Sequence, residues 1–127
     1  MVTREDIESF LMRMEESAEE VQPGMWVVGA DGGGLVIHYS PPLLLLRMKV
    51  LAVPEEDDQC SGLFRRLLEL NATDLIHGAY AIEEGDVILT DTLDLETLDF
   101  KTFQSAVDSL QLTLASHLEG LAPFRTC

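Results

Sequence analysis

Basic residues are scarce in this chain of 127 residues. Eight Lys and Arg stand against 23 Asp and Glu, which gives a formal net charge of −15 at pH 7. Binding to double-stranded nucleic acid requires Lys and Arg to neutralise phosphates, and anionic membrane surfaces attract basic segments. The composition therefore predicts neither a nucleic-acid partner nor a membrane partner.

Long hydrophobic runs and cysteines are also few. The apolar run at residues 43–46, which no other run exceeds in length, is far shorter than the roughly 20 residues that a membrane helix needs. Residues 1–6 are charged and lack the apolar stretch of a signal peptide. Two cysteines, Cys60 and Cys127, make no disulfide framework and suit a reducing compartment. These features together predict a cytoplasmic location.

Residue patterns that carry catalytic or metal chemistry are missing. The three histidines, His38, His77 and His117, show no metal-ligand spacing, and no Cys-x-x-Cys motif is present. No Ser-His-Asp or Cys-His arrangement can be nominated by motif. The Asp-Gly-Gly-Gly run at residues 31–34 lacks the Gly-Lys-Ser/Thr ending of a phosphate-binding loop and indicates a hairpin turn. We therefore predict no catalytic residues, no metal site, no cofactor and no enzymatic activity.

Apolar residues make up 46% of the chain, which is enough for one hydrophobic core. The length is typical of one domain, so we expect a single domain over residues 1–127. The predicted helices cover about residues 3–20, 57–70 and 99–120, and the predicted strands cover about residues 25–28, 35–40, 43–53, 78–83 and 87–93. The order α-β-β-β-α-β-β-α, with tight turns between strands, predicts an α+β fold in which a mostly antiparallel sheet packs with helices.

Sequence signals at two helix starts support this assignment. Thr3 followed by Asp6 is the pattern of a capping box. Asp99 is a plausible N-cap of the last helix, because Leu98 and Phe103 occupy the two positions of a hydrophobic staple around it.

The strand predicted at residues 43–53 is apolar on both faces at its ends. A sheet with one face in water would show polar residues at alternate positions. Helices can cover one face, and the second face then needs cover from another element, a second subunit or a client. We therefore predict a partner-binding surface at Leu43, Leu45, Leu51 and Val53; the alternative is that the second helix covers them within one chain.

Four segments resemble a known family. They are Leu-Leu-Glu-Leu-Asn at 67–71, Gly-Ala-Tyr-Ala-Ile at 78–82, Gly-Asp-Val-Ile-Leu at 85–89, and the acidic and apolar segment 93–100 before a long amphipathic helix. Together with the element order, they resemble the type III secretion chaperone-like fold, which includes the YbjN group of proposed sensory-transduction regulators. The motifs are apolar patterns, and none of them is catalytic.

The resemblance implies a homodimer that binds a protein client or regulatory partner, with the second helix as the usual dimerisation element. The residues expected at the dimer interface are Leu63, Phe64, Leu67, Leu68 and Leu70. The main hypothesis is thus a non-enzymatic protein-binding module, chaperone-like or regulatory.

Two alternatives remain open at this point. The first is a small-ligand-binding domain or small enzyme with a pocket between helix and sheet, where Asp31, His38 or His77 would converge. The second is an interaction subunit whose apolar strand is covered by a different protein.

Overall fold

A computed structural model describes residues 1–29, 34–54, 60–75 and 77–124. The helices are α1 (Arg4–Arg13), α2 (Ser61–Thr73) and α3 (Phe100–Leu121), which continues into a 3₁₀ turn at Ala122–Phe124. The strands are β1 (Ala18–Gln22), β2 (Met25–Val28), β3 (Leu35–Ser40), β4 (Leu43–Ala52), β5 (Ala79–Glu83) and β6 (Asp86–Asp94). The expected α+β class is confirmed.

The six strands form one sheet in the order β1-β2-β3-β4-β6-β5, and every neighbouring pair is antiparallel. Strands β3 and β4 are joined by a turn at Pro41 and Pro42, with Ser40 opposite Leu43. Strand β4 lies inside the sheet and pairs with β6 along its whole length. Strands β1 and β5 are therefore the two edges.

The helices pack on one face of the sheet. On each strand, alternate side chains point to the same face. Trp26, Ile37 and Leu46 lie side by side on that face, and they share one core cluster with Ile7 of α1 and Phe103 of α3. The covered face is thus the hydrophobic core of the molecule.

The first helix is shorter than the sequence predicted. Its start is confirmed, because Thr3 Oγ1 accepts a hydrogen bond from Asp6 N at 3.2 Å and Thr3 N donates to Asp6 Oδ2 at 2.9 Å. The helix ends at Arg13, however, and Glu15 adopts a left-handed φ of 58°. The chain then forms β1, because pairing with β2 satisfies the backbone groups of residues 18–22.

The later helices agree better with the predictions. The side chain of Asp99 accepts a hydrogen bond from Thr102 N at 2.7 Å, so the predicted N-cap of α3 is confirmed. Leu98 and Phe103, the two predicted staple residues, are both buried in the core cluster. Helix α2 begins at Ser61. The predicted start of α2 at residue 57 or 58 and most of the 31–34 turn lie outside the described residues.

Candidate protein-interaction site

The face of the sheet opposite the helices carries a shallow concavity of about 640 Å³. Within the described ranges, none of the three helices packs on this open face. Its apolar lining residues are Val27, Val36, Val50 and Ile88. Ile88 is buried, yet it does not belong to the core cluster under the helices.

Two basic side chains border this concavity. Arg47 Nη1 lies 2.9 Å from Glu83 Oε1, and Lys49 Nζ lies 3.5 Å from Asp86 Oδ1. Both ion pairs are substantially exposed, so each contributes at most about 1 kcal/mol to stability. Strand β4 contains these two basic residues and no acidic residue, so it is the most basic strand of a chain that is otherwise strongly acidic.

The structure does not keep the four predicted partner-binding residues on one face. Leu43 is 39% exposed and Leu45 is half-buried, and both point to the open face. A β-bulge between Lys49 and Leu51 then shifts the register against β6. An extra residue in one strand reverses the facing of every side chain after it. Leu51 is consequently buried against the core.

The fourth residue, Val53, follows the end of β4. It is half-buried and packs against the edge of the core, and its N–H donates to Gly85 O at 2.8 Å. Leu43 and Leu45 are therefore the two members of the predicted set that remain accessible on the open face.

A second apolar surface lies between α2 and the edge strand β5. It is a cleft of about 240 Å³, and its apolar lining residues are Phe64, Leu67, Leu68, Ala81 and Ile82. Leu68 is 68% exposed and Ile82 is 52% exposed. We call this surface the α2–β5 cleft.

The predicted dimer residues divide between this cleft and the core. Leu63, Leu67 and Leu70 are buried within the chain, because they lie on the side of α2 that faces the sheet. Phe64 is half-buried and Leu68 is exposed at the cleft. A dimer that uses α2 would therefore be formed by Phe64 and Leu68. The other three side chains pack α2 against the rest of its own chain.

Ile82 was not singled out from the sequence, although it contributes more exposed apolar surface than Phe64. The alternation of Tyr80 and Ile82 predicts that both point to the core face. Tyr80 is covered by α2 and α3, but Ile82 lies further along the edge strand and remains exposed. The sequence contains no signal for this difference, because it depends on how α2 and α3 are placed over β5.

Polar side chains fix α2 and α3 against β5. Tyr80 Oη and His117 Nδ1 are 2.7 Å apart, and His117 Nε2 lies 3.4 Å from Asp74 Oδ2. Burial, with a smaller effect from the nearby Asp74 charge, raises the pKa of Tyr80 to about 12. The phenol is therefore protonated at neutral pH, and it shares a hydrogen bond with His117 Nδ1.

Gly78 allows the chain to enter β5 beneath α3. Its φ of 78° lies in the left-handed region, and a Cβ there would lie 2.5 Å from Thr90 O. Any other residue would meet the backbone of β6. The position of β5 beside the cleft thus depends on this glycine.

The residues of the pocket hypothesis do not converge. His77 lines an open groove of about 590 Å³ with Asp74, Asp108 and His117. His38 instead points to the open face of the sheet, opposite Leu45. Asp31 lies outside the described residues.

The part of the chain that the structure describes holds no group of three His, Cys, Asp or Glu arranged to bind a metal ion. None of its helices has the length and apolar character needed to cross a bilayer. Cys60 is fully buried and disulfide-bonded. That bond was not anticipated, since the sequence argument favoured a reducing compartment.

Solved structures with this architecture include type III secretion proteins and the protein YbjN. A chain of the heterodimeric ExoU–SpcU complex from the type III secretion system of Pseudomonas aeruginosa matches with a TM-score of 0.62 and 15% identity, over 89% of this chain and 95% of that one. YbjN from E. coli matches with a TM-score of 0.70 and 14% identity, over 94% and 92%. The Yersinia pestis type III secretion chaperone SycH, in complex with a fragment of YscM2, gives 0.59 and 18%, over 90% and 98%.

These likenesses define the fold as that of the type III secretion chaperones, as the sequence resemblance predicted. No curated protein matches the sequence. The family model CesT_Tir_1 matches residues 2–126, and the chain belongs to this family of type III chaperones. It is accordingly not an enzyme.

Proposed function

We propose that this chain is a chaperone-like or regulatory protein-binding module that acts as a homodimer and holds a protein partner on apolar surface. Several structural neighbours were solved as complexes with proteins, among them the HopA1–SchA chaperone–effector complex and the ExsC–ExsE complex. Family membership and these complexes support a protein partner for this chain as well.

The observation that carries the dimer proposal is the exposed apolar pair at the α2–β5 cleft. Leu68 and Ile82 are both more than half exposed and flank a cleft whose lining is mostly apolar. Burying a large aliphatic side chain contributes roughly 1.5–3 kcal/mol. Two such residues in each of two copies therefore contribute substantially to the free energy of dimerisation.

Charge also favours this surface for self-association. Two copies with a net charge of −15 each repel one another over most of their surfaces. Helix α2 contains Arg65 and Arg66 against the single acid Glu69. Among the described elements, only α2 and β4 carry a net positive charge. The electrostatic repulsion of a second copy is therefore weaker beside α2 than over the acidic elements.

The partner surface that we propose is the open face of the sheet around Leu43 and Leu45. An apolar concavity on the face without helices, bordered by Arg47 and Lys49, suits an extended segment with apolar side chains. Since α2 and the open face lie on opposite sides of the molecule, one copy could use both surfaces at once.

The test of the partner role is capture from the native cell. The wild-type protein and a Leu45→Gln variant are used as bait at low salt, and retained proteins are identified by mass spectrometry. We expect a specific protein that is retained by the wild type and reduced with the variant. Equal recovery with both baits would contradict the assignment of the open face.

A cytoplasmic location belongs to the same proposal. The disulfide at Cys60 is the observation against it. Alkylation of thiols in denaturant at the moment of lysis, which exposes the buried Cys60, followed by peptide mass mapping, decides the question. An alkylated Cys60 supports a reducing compartment, and an unalkylated Cys60 contradicts it.

A further inference from the structure

The backbone of the edge strand β5 is occupied by a side chain. Among the residues that the structure describes, strand β5 pairs with β6 alone, and no further strand lies on its other side. At Tyr80, however, the N–H donates to Asn71 Oδ1 at 2.7 Å, and the C=O accepts from Asn71 Nδ2 at 3.2 Å. In an antiparallel strand, the N–H and C=O of one residue point to the same side. The Asn71 amide therefore takes both positions that a neighbouring strand would use.

Little of the β5 edge remains beyond this residue. Outward-pointing backbone groups recur at every second residue, so the next set belongs to Ile82. The strand ends at Glu83 and turns back into β6 at Asp86. One free residue does not provide the run of ladder bonds that a stable strand pair requires.

The opposite edge of the sheet is different. Strand β1 has five residues and all of them are exposed. Within the described residues, no side chain forms a hydrogen bond to the backbone of this strand. The guarding of β5 is thus a local feature and not a general property of the sheet edges.

We propose that Asn71 guards the β5 edge and so decides how two copies meet. An unguarded β5 edge would pair with the exposed β1 edge of a second copy and extend the sheet, and such a heterologous contact does not close at two copies. With the edge occupied, a second copy docks through the side chains of Phe64, Leu68 and Ile82. This inference rests on the proposed homodimer for the identity of the second chain.

The test is an Asn71→Leu variant, which keeps the side-chain size and removes both hydrogen bonds to Tyr80. We expect species larger than a dimer, growing with concentration in sedimentation velocity. We also expect the Tyr80 amide to exchange with solvent at least about tenfold faster in the smallest species, because its hydrogen bond is lost.

Gln104→Leu provides the control, since it also replaces a side-chain amide with leucine, at a half-buried position of α3. If Asn71→Leu and the control show the same mass distribution as the wild type, the guard is refuted. Asn71→Ala serves in the same comparison should the leucine variant fail to fold. A monomeric wild type would contradict the dimer but not the guard, because Asn71→Leu would still be expected to associate.

Discussion

Replacing Leu68 with Gln is the sharpest test of the dimer. Leu68 is 68% exposed, so its removal takes little from the core of one chain. Glutamine has a similar length, forms helix well and adds no charge to a chain that already carries −15. The change therefore isolates the apolar contribution of one side chain at the α2–β5 cleft.

The expected size of the effect follows from the exposed fraction. Full burial of a leucine contributes roughly 1.5–3 kcal/mol, so about 1–2 kcal/mol remains available to an interface. A two-fold symmetric interface uses the residue twice, which gives about 2–4 kcal/mol. We expect the dimer dissociation constant to rise by roughly 30- to 1,000-fold.

Leu112→Gln is the control, because Leu112 is equally exposed but lies on α3, outside the cleft. Sedimentation velocity over a concentration series gives the dissociation constants, and circular dichroism verifies that both variants fold. We expect Leu68→Gln to be monomeric where Leu112→Gln and the wild type are dimeric. If both variants dimerise like the wild type, the cleft is not the interface.

Three further predictions concern the sheet and the helices. Leu45→Gln should lower the free energy of unfolding by only about 1–2 kcal/mol, because Leu45 is half-buried, whereas Leu46→Ala, one residue along and fully buried, should cost about 2–5 kcal/mol; urea denaturation of both variants tests which face of β4 is covered. Hydrogen bonds from Thr102 hold the pKa of Asp99 below its usual value. The stability that this cap contributes is therefore present above about pH 4 and lost as the pH falls through the folded-state pKa, so that denaturation at a series of pH values should show a steeper acid loss for the wild type than for Asp99→Ala. Absorbance titration should show a tyrosine that ionises at about 12, and Tyr80→Phe should remove that step; an unchanged titration would contradict the burial of the phenol under α2 and α3.

Local signals in the sequence predicted most of the elements. Helix α3 has an N-cap at Asp99, buried residues at the two staple positions Leu98 and Phe103, and an apolar stripe of residues one turn apart. Such short-range interactions can be read from the sequence, because the residues involved are neighbours on the helix. The hairpin of β2 and β3 was predictable for the same reason.

The mistakes arose where distant contacts overrule local preference. The sequence Ala18-Glu19-Glu20 is compatible with helix, but pairing with β2 makes it a strand. The bulge at Val50 turned Leu51 to the core, although the alternation from Leu43 placed it on the open face. Neither outcome could be derived without knowledge of the neighbouring strand.

The candidate site was predictable only in part for a similar reason. An apolar stripe on α2 does not reveal which leucines face the sheet and which face solvent. Leu67 and Leu68 are adjacent in sequence, yet one is buried and the other exposed. The strand order, which puts β5 at an edge beside α2, decided the difference.

The pairing of β4 with β6 has a consequence for biosynthesis. Leu43–Ala52 leaves the ribosome well before Asp86–Asp94, which is its neighbour on one side. Until that later segment emerges, one edge of this leucine-rich strand is unpaired, and nascent chains with an unpaired strand edge are prone to aggregate. Translation that halts after α2 should therefore yield insoluble fragments. Rapid completion of the chain shortens the time during which it can aggregate.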